Sequence, residues 1–323
     1  MNKKPKIILD TDPGGDDIFA LLWLQSLVRQ NLAEIVAITT AQGNVEAEVT
    51  FACASQVMGL LGLESSIPLG KGVICQQLEI GDAAYIHGND GMGGLSGTLP
   101  KSQHNFEIAP AADEVIIEQL SASPGQITII AIAPLTNLAA AEEKCPGILK
   151  LAKEIIIMGG AFQVPGNVTA NAEFNIGFNP EAAEIVFQSR TDIVVLPLDI
   201  TNKLIFTPEM AVELTKEQQN HSISKFVMAL TEFMTKTSLV YRQTEGKNGF
   251  LIHDAATIAY LFYPETLLLQ RGNVEIELNG KLTKGQTFLD HRHFPKSQSN
   301  SWVALEVDNY NLLACFIEDL KHL

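Results

Sequence analysis

Short, continuously apolar runs alternate with longer stretches of helical spacing, and this alternation restricts the fold more than any other feature of the chain. Ile7-Ile8-Leu9 runs into Asp10, and residues 16–29 then read as a helix. Glu34–Thr40 reads as a second strand, followed by a helix over residues 45–61. Ile127–Ala131, Glu154–Met158 and residues 192–196 are three further strand candidates, each leading through a loop into a helix. Strands that are apolar without alternation are buried on both faces, as in parallel sheets covered by helices. The expected fold class is therefore α/β: a Rossmann-like open, mostly parallel sheet flanked by helices. Asn179-Pro180 and Thr207-Pro208 each place a capping side chain before a proline at the first helical position. Beyond them, a helix over residues 222–241, short strands near 274–277, 287–290 and 302–305, and a closing helix form a small extra C-terminal strand and helix region. No repeat or linker interrupts the chain, so residues 1–323 read as one domain.

Two segments break the rhythm. Residues 70–100 and 159–179 are rich in Gly, Asn and small side chains and carry no core period. Connections of that length are uncommon unless they serve a site. Their possible partners are limited by charge: the formal net charge is −15, which repels a nucleic-acid backbone. Cys53, Cys75, Cys145 and Cys315 show no metal or redox spacing and read as reduced thiols. The N-terminus is basic, but its apolar run is too short for a signal peptide or a membrane span. A cytoplasmic location is the expectation, with no membrane partner.

Ligands of open parallel sheets lie beyond the carboxyl ends of the strands. There, strand one delivers Asp10-Thr11-Asp12-Pro13-Gly14-Gly15-Asp16-Asp17, and strand two delivers Gln42-Gly43-Asn44. The strand ending at Ala131 is followed by Ile132-Ala133-Pro134-Leu135-Thr136-Asn137, and the next by Gly159-Gly160, Asn167 and Glu173-Phe174-Asn175. Four carboxylates within one turn repel each other unless a cation or protons neutralise them. Oxygen ligands without nearby His or Cys favour Ca²⁺, then Mg²⁺, and disfavour Zn²⁺. Asp16 and Asp17 could instead cap the following helix, a role closed to Asp10 and Asp12. His253-Asp254 heads a helix over Ala255–Phe262, where Asp254 could serve only as a cap and His253 as its neighbour. His87, in Ile86-His87-Gly88-Asn89-Asp90-Gly91-Met92-Gly93, could equally be a loop histidine without a role.

Together these segments resemble the inosine–uridine-preferring nucleoside hydrolases over nearly the whole chain. The resemblance rests on Asp10-Thr11-Asp12-Pro13-Gly14-x-Asp16-Asp17, Thr39-Thr40-x-x-Gly43-Asn44, Ile86-His87-Gly88, Pro134-Leu135-Thr136-Asn137-Leu138-Ala139, Met158-Gly159-Gly160, Ala172-Glu173-Phe174-Asn175, His253-Asp254 and Gly280-Lys281-Leu282-Thr283, all in order. It implies Ca²⁺ held by Asp12, Asp17, Asp254 and the main-chain carbonyl of Ile132, with Asp10 supporting them from behind. It also implies hydrolysis of an N-riboside through an oxocarbenium-like transition state, with Asp12 taking a proton from metal-activated water. By the same likeness Asp16, Asn44, Asn167, Glu173 and Asn175 grip the ribose hydroxyls. His253 protonates the departing base with a pKa near neutrality, and His87 lines the base pocket. Met158 and Phe174 shape that pocket, although either could be a plain core residue. Tyr241 could stack on the base, and a helical core position explains it as well. The likeness extends to a homodimer or homotetramer acting on a small ribonucleoside. Ala255 stands where relatives often carry Pro, and Gly15 where a larger apolar residue is common; neither change removes a ligand.

Two other activities use similar parts. A haloacid-dehalogenase-like phosphohydrolase also places Asp-x-Asp after its first strand, but it needs a lysine and a second acidic pair after later strands. A non-catalytic nucleoside-binding protein could share the whole fold.

Overall fold

The computed structural model describes residues 4–63, 66–75, 80–292, 294 and 297–323. Residues 1–3 of the basic N-terminus and 76–79 of the first long loop lie outside the described residues. In chain order the strands are β1 (Lys6–Thr11), β2 (Glu34–Thr40), β3 (Leu69–Gly70), β4 (Ile127–Ala131), β5 (Glu154–Met158) and β6 (Ile193–Leu196). They are followed by β7 (Ile205–Phe206), β8 (Phe250–Leu251), β9 (Leu267–Ile276), β10 (Thr287–Asp290) and β11 (Ser301–Val307).

Nine of these strands form one sheet in the order β10-β9-β11-β6-β5-β4-β1-β2-β3. The section from β11 to β3 is parallel, and β9 and β10 extend it antiparallel. The expected open, mostly parallel sheet is thus present. From β1 the chain winds outward through β2 and β3, then returns to place β4 on β1's other side. The strand order reverses at β1, and such a switch point opens a crevice at the carboxyl ends.

The apolar strand runs are buried on both faces, as their composition predicts. Ile7 and Leu9 join a core under the helices Gly15–Arg29, Ala47–Leu61, Ser222–Val240, Ala255–Phe262 and Asn309–Leu320. Ile8, between them, points into a second core under Ala112–Ala122, Thr136–Lys144 and Pro180–Ser189. From Gly15 through Leu27 every residue of the first helix is buried, because other helices cover the side turned away from the sheet. Asn179 and Thr207 cap their helices as expected, accepting from Ala182 N and Met210 N respectively.

Several elements exceed the sequence reading. β9 begins at Leu267, well before residue 274, because Leu267-Leu268-Leu269 pairs with β11 in a stretch without alternation. The helix Ala112–Ala122, the two-residue β3 and the β7–β8 ribbon have no counterpart in that reading. Two-residue strands are set by their partners rather than by local pattern.

Candidate active site

The carboxyl ends of β1, β2, β4 and β5 open into one cleft. It is lined by Asp12, Asp16, Asp17, Asn44, His87, Ile132, Met158, Asn167, Glu173, Phe174, Asn175, His253 and Asp254. Every candidate metal, substrate and catalytic residue therefore reaches the same cleft. Asp10 sits behind it, with no exposed surface.

The aspartate loop folds around its own amides. Asp17 Oδ1 accepts from Thr11 Oγ1 at 2.7 Å and from Asp12 N at 3.2 Å. Its Oδ2 accepts from Gly14 N at 3.1 Å and from Asn44 Nδ2 at 3.1 Å. Asp17 thus caps the helix start as the sequence allowed, while remaining on the cleft wall. Asp12 Oδ2 accepts from Asn44 N at 2.7 Å, and Asn44 Nδ2 donates again to Asp12 O at 2.9 Å. Both amide hydrogens of Asn44 are spent on this loop, leaving only its Oδ1 for a substrate hydroxyl. Asp10 Oδ1 accepts from Thr39 Oγ1 at 2.5 Å and Asn137 Nδ2 at 2.8 Å, and its Oδ2 is buried without a partner.

Carboxylate oxygens of Asp16, Asp17 and Asp254 lie within 4.8 Å of one another, all three residues buried. Asp254 makes no side-chain cap at its helix, so the purely structural role does not apply. Burial pushes all the acids upward: Asp10 to about 7 and Asp16 to about 8, the latter helped by the Asp17 charge. Asp12 and Asp254 are raised well above the ordinary range by burial and then by neighbouring carboxylates, and Asp17 is raised by burial. Protons or a cation must offset such a cluster. The donors are all oxygens, so the residues fit a hard divalent cation. The convergent trio contains Asp16 where the sequence favoured Asp12, because Asp12 has turned one oxygen to the Asn44 amide.

The opposite wall comes from the Gly-rich segment after β5. Glu173 caps the turn Phe174–Gly177, accepting from Asn175 N at 2.9 Å and Gly160 N at 2.9 Å. Burial outweighs those bonds and lifts it to about 7. Asn175 Nδ2 donates to Met158 O at 3.0 Å and lies 3.3 Å from Ile132 O. Asn167 Oδ1 accepts from Phe174 N at 2.8 Å. Phe174 is half-buried against Phe178, whereas Met158 is buried.

Both histidines line the cleft as expected, but the titration expected of His253 does not hold. Burial lowers His253 to about 4, away from neutrality. His87 is lowered to about 4 by burial and then by His253. His87 Nδ1 accepts from Gly15 N at 2.9 Å, which puts the neutral ring's proton on Nε2. His253 Nδ1 is 2.8 Å from Thr201 Oγ1. Tyr241 is 49% exposed at the end of its helix, which overturns a core role, and its ring meets Tyr85 edge-on at 5.0 Å. Tyr85, Met234 and Gln243 also line the cleft, and none was singled out in sequence. They come from segments without a motif, so local pattern held no signal for them.

Fold and site together define an α/β enzyme whose switch-point cleft could hold a metal among buried carboxylates. The profile of the family "Inosine-uridine preferring nucleoside hydrolase" matches residues 7–314. A probable uridine nucleosidase of Oryza sativa subsp. japonica is 32% identical, over 98% of this chain and 96% of that protein. A non-specific ribonucleoside hydrolase of Escherichia coli O7:K1 is 34% identical, over 94% of this chain and 93% of that protein. A solved plant nucleoside hydrolase superposes with a TM-score of 0.87 at 31% identity, covering 98% of this chain and 99% of its own. The chain belongs to the inosine-uridine preferring nucleoside hydrolase family and is an enzyme of the nucleoside N-ribohydrolase class. No lysine lines the cleft among the described residues, which removes the basis for the phosphohydrolase alternative.

Proposed function

We propose that this chain is a Ca²⁺-dependent N-ribohydrolase that splits ribonucleosides into free base and ribose. The observation that carries the proposal is the convergence of Asp12, Asp16, Asp17 and Asp254 with Asn167, Glu173 and Asn175 on one cleft. Acidic oxygens suit a hard cation and sugar hydroxyls, and a phosphate dianion would be repelled.

Asp17, Asp254, Asp12 and the Ile132 carbonyl would hold the cation, with Asp16 close enough to share it. When bound, a divalent cation supplies an acidified water and an anchor for ribose hydroxyls. Asp12 takes the proton of the attacking water; its Oδ1 serves this role while Oδ2 stays on the Asn44 amide. Asp16, Asn167, Glu173 and Asn175 orient the ribose and favour positive charge as it develops on the ring. His253 assists the leaving base, with His87 as a lesser donor through Nε2. Burial keeps both rings neutral near pH 7, so their help is hydrogen-bond donation to the departing base, which then takes its proton from solvent while Asp12 returns the proton of the attacking water to solvent. The family likeness also supports reading the chain as a homodimer or homotetramer, which light scattering measures directly.

Release of free base and ribose from inosine, uridine, adenosine, guanosine and cytidine is the test, run with Ca²⁺ and again with chelator. Release that stops on chelation and returns with Ca²⁺ is the expected result. Ribosides that bind but survive intact would sink the proposal in favour of a binding-only protein.

A further inference from the structure

Thr201 is the last residue of the turn Leu198–Thr201 that follows β6, and it has no exposed surface. Its hydroxyl lies 2.8 Å from Nδ1 of His253, a partner 52 residues further along the chain. The β7–β8 ribbon creates this meeting. Ile205 pairs with Leu251 and Phe206 with Phe250, and the pairing ends with Ile252 N donating to Leu204 O at 3.0 Å. Leu204 N in turn donates to Thr201 O at 3.0 Å, so both partners leave the ribbon at a fixed separation. Leu204 and Ile252 are fully buried, which leaves this end of the ribbon little room to adjust.

A hydroxyl at this site is chemically distinctive. Packing alone would accept valine, which has the same shape without the oxygen. The threonine oxygen both donates and accepts, so it can bond Nδ1 whether or not that nitrogen carries a proton. The ring plane is thereby held in either state, and Nε2 is left as the nitrogen available to the cleft that His253 lines. A bond of this kind on the far side of an imidazole sets which nitrogen faces the substrate.

We propose that Thr201 is a positioning residue for His253, fixing the ring so that Nε2 meets the departing base. The proposal rests on the reading of His253 as the group that assists the leaving base. Thr201 itself neither gains nor loses a proton and does not touch the substrate.

Leaving-group chemistry separates positioning from mere structural support. A purine is a poor leaving group as an anion, whereas 4-nitrophenolate departs without a proton donor. Thr201→Val, Thr201→Ser, His253→Ala and the Thr201→Val/His253→Ala double variant would be assayed on inosine and on 4-nitrophenyl riboside. Thr201→Val should lower kcat on inosine by about tenfold or more with KM little changed, and should stay within about twofold of the parent on the nitrophenyl riboside. Thr201→Ser should restore the inosine rate. The double variant should be no slower than His253→Ala alone, since both changes remove one function. Equal losses on the two substrates, or an unimpaired Thr201→Val beside an impaired His253→Ala, would overturn the positioning role. A parent-like inosine rate in His253→Ala would overturn the reading of His253 itself, and the positioning role with it. Should the valine variant fold poorly, Thr201→Ala against Thr201→Ser carries the same comparison.

Discussion

Gly43 leaves room for the Asp12 carboxylate: a Cβ at this position would stand 2.1 Å from Asp12 Oδ2. Its φ is unremarkable, so the requirement is for space beside the Asp12 carboxylate rather than for backbone freedom. Gly43→Ala should displace Asp12 and lower kcat about a hundredfold, since misplacement of a reacting group by about 1 Å has effects of that size. A thermal melt close to the parent's would show that the loss is local. Asp12→Ala should reduce turnover of the best riboside at least about a thousandfold, because it removes the proposed base and a proposed cation oxygen together. A variant with near parental kcat would rule out the role given to Asp12. His253 shows what residue identity leaves open: its position was legible as His-Asp before a helix, but its lowered pKa comes from burial, which the dipeptide does not encode.

At the scale of elements, the site depends on segments that never enter it. The C-terminal helix Asn309–Leu320 is held by Asp319, whose Oδ2 accepts from Trp23 Nε1 at 2.7 Å and Tyr263 OH at 2.7 Å. It thereby joins the helix carrying Asp16 and Asp17 to the residue just beyond the helix that His253-Asp254 heads. Asp319→Ala leaves the buried Trp23 indole and the half-buried Tyr263 hydroxyl without their acceptor and should cost about 1–3 kcal/mol. Urea unfolding would read that loss, and a cost below about 0.5 kcal/mol would show the clamp to be unimportant. On the cleft's other side, Asp199 accepts from Phe162 N at 2.9 Å and Gln163 N at 2.7 Å, tethering the Gly-rich segment that carries Asn167 and Glu173. The ribbon adds a steric condition at Gly249, where φ is +156° and a Cβ would lie 2.6 Å from Phe206 O. Strands and helices with strong apolar runs, such as Ile127–Ala131, were legible in sequence. The ribbon and β3 were not, because two residues carry no period and their partners are distant in the chain.

For the whole molecule, the acidic cleft links folding to pH and to cation binding. In the metal-free chain Asp10 and Glu173 move from ordinary values of 3.8 and 4.5 up to about 7, and Asp16 up to about 8. Raised folded values mean that the folded chain keeps protons the unfolded chain has already released. Their contribution to stability is therefore full below the ordinary values and is lost as pH rises through about 7 to about 8. In chelator, the melting temperature should fall by at least about 5 °C between about pH 5 and about pH 8. Saturating Ca²⁺ should remove most of that fall, with protons released on binding. A chelated melting temperature that holds steady or rises over this range would contradict the assignment of the buried acids.

Sequence alone determined the parallel α/β sheet and the residues at its strand ends, because continuous apolar runs and Asp-Thr-Asp-Pro-Gly are local signals set by burial and turn chemistry. Through the resemblance to a known family it also marked His253-Asp254, Asn167 and Glu173-Phe174-Asn175 as parts of one site. Only the tertiary structure decided which aspartates converge, that Asn44 spends both amide hydrogens on the loop, and that Thr201 stands behind His253. Those facts depend on distances between segments tens to hundreds of residues apart. Such distances are set by how the sheet and ribbon bring the segments together, and no local run of residues carries that information.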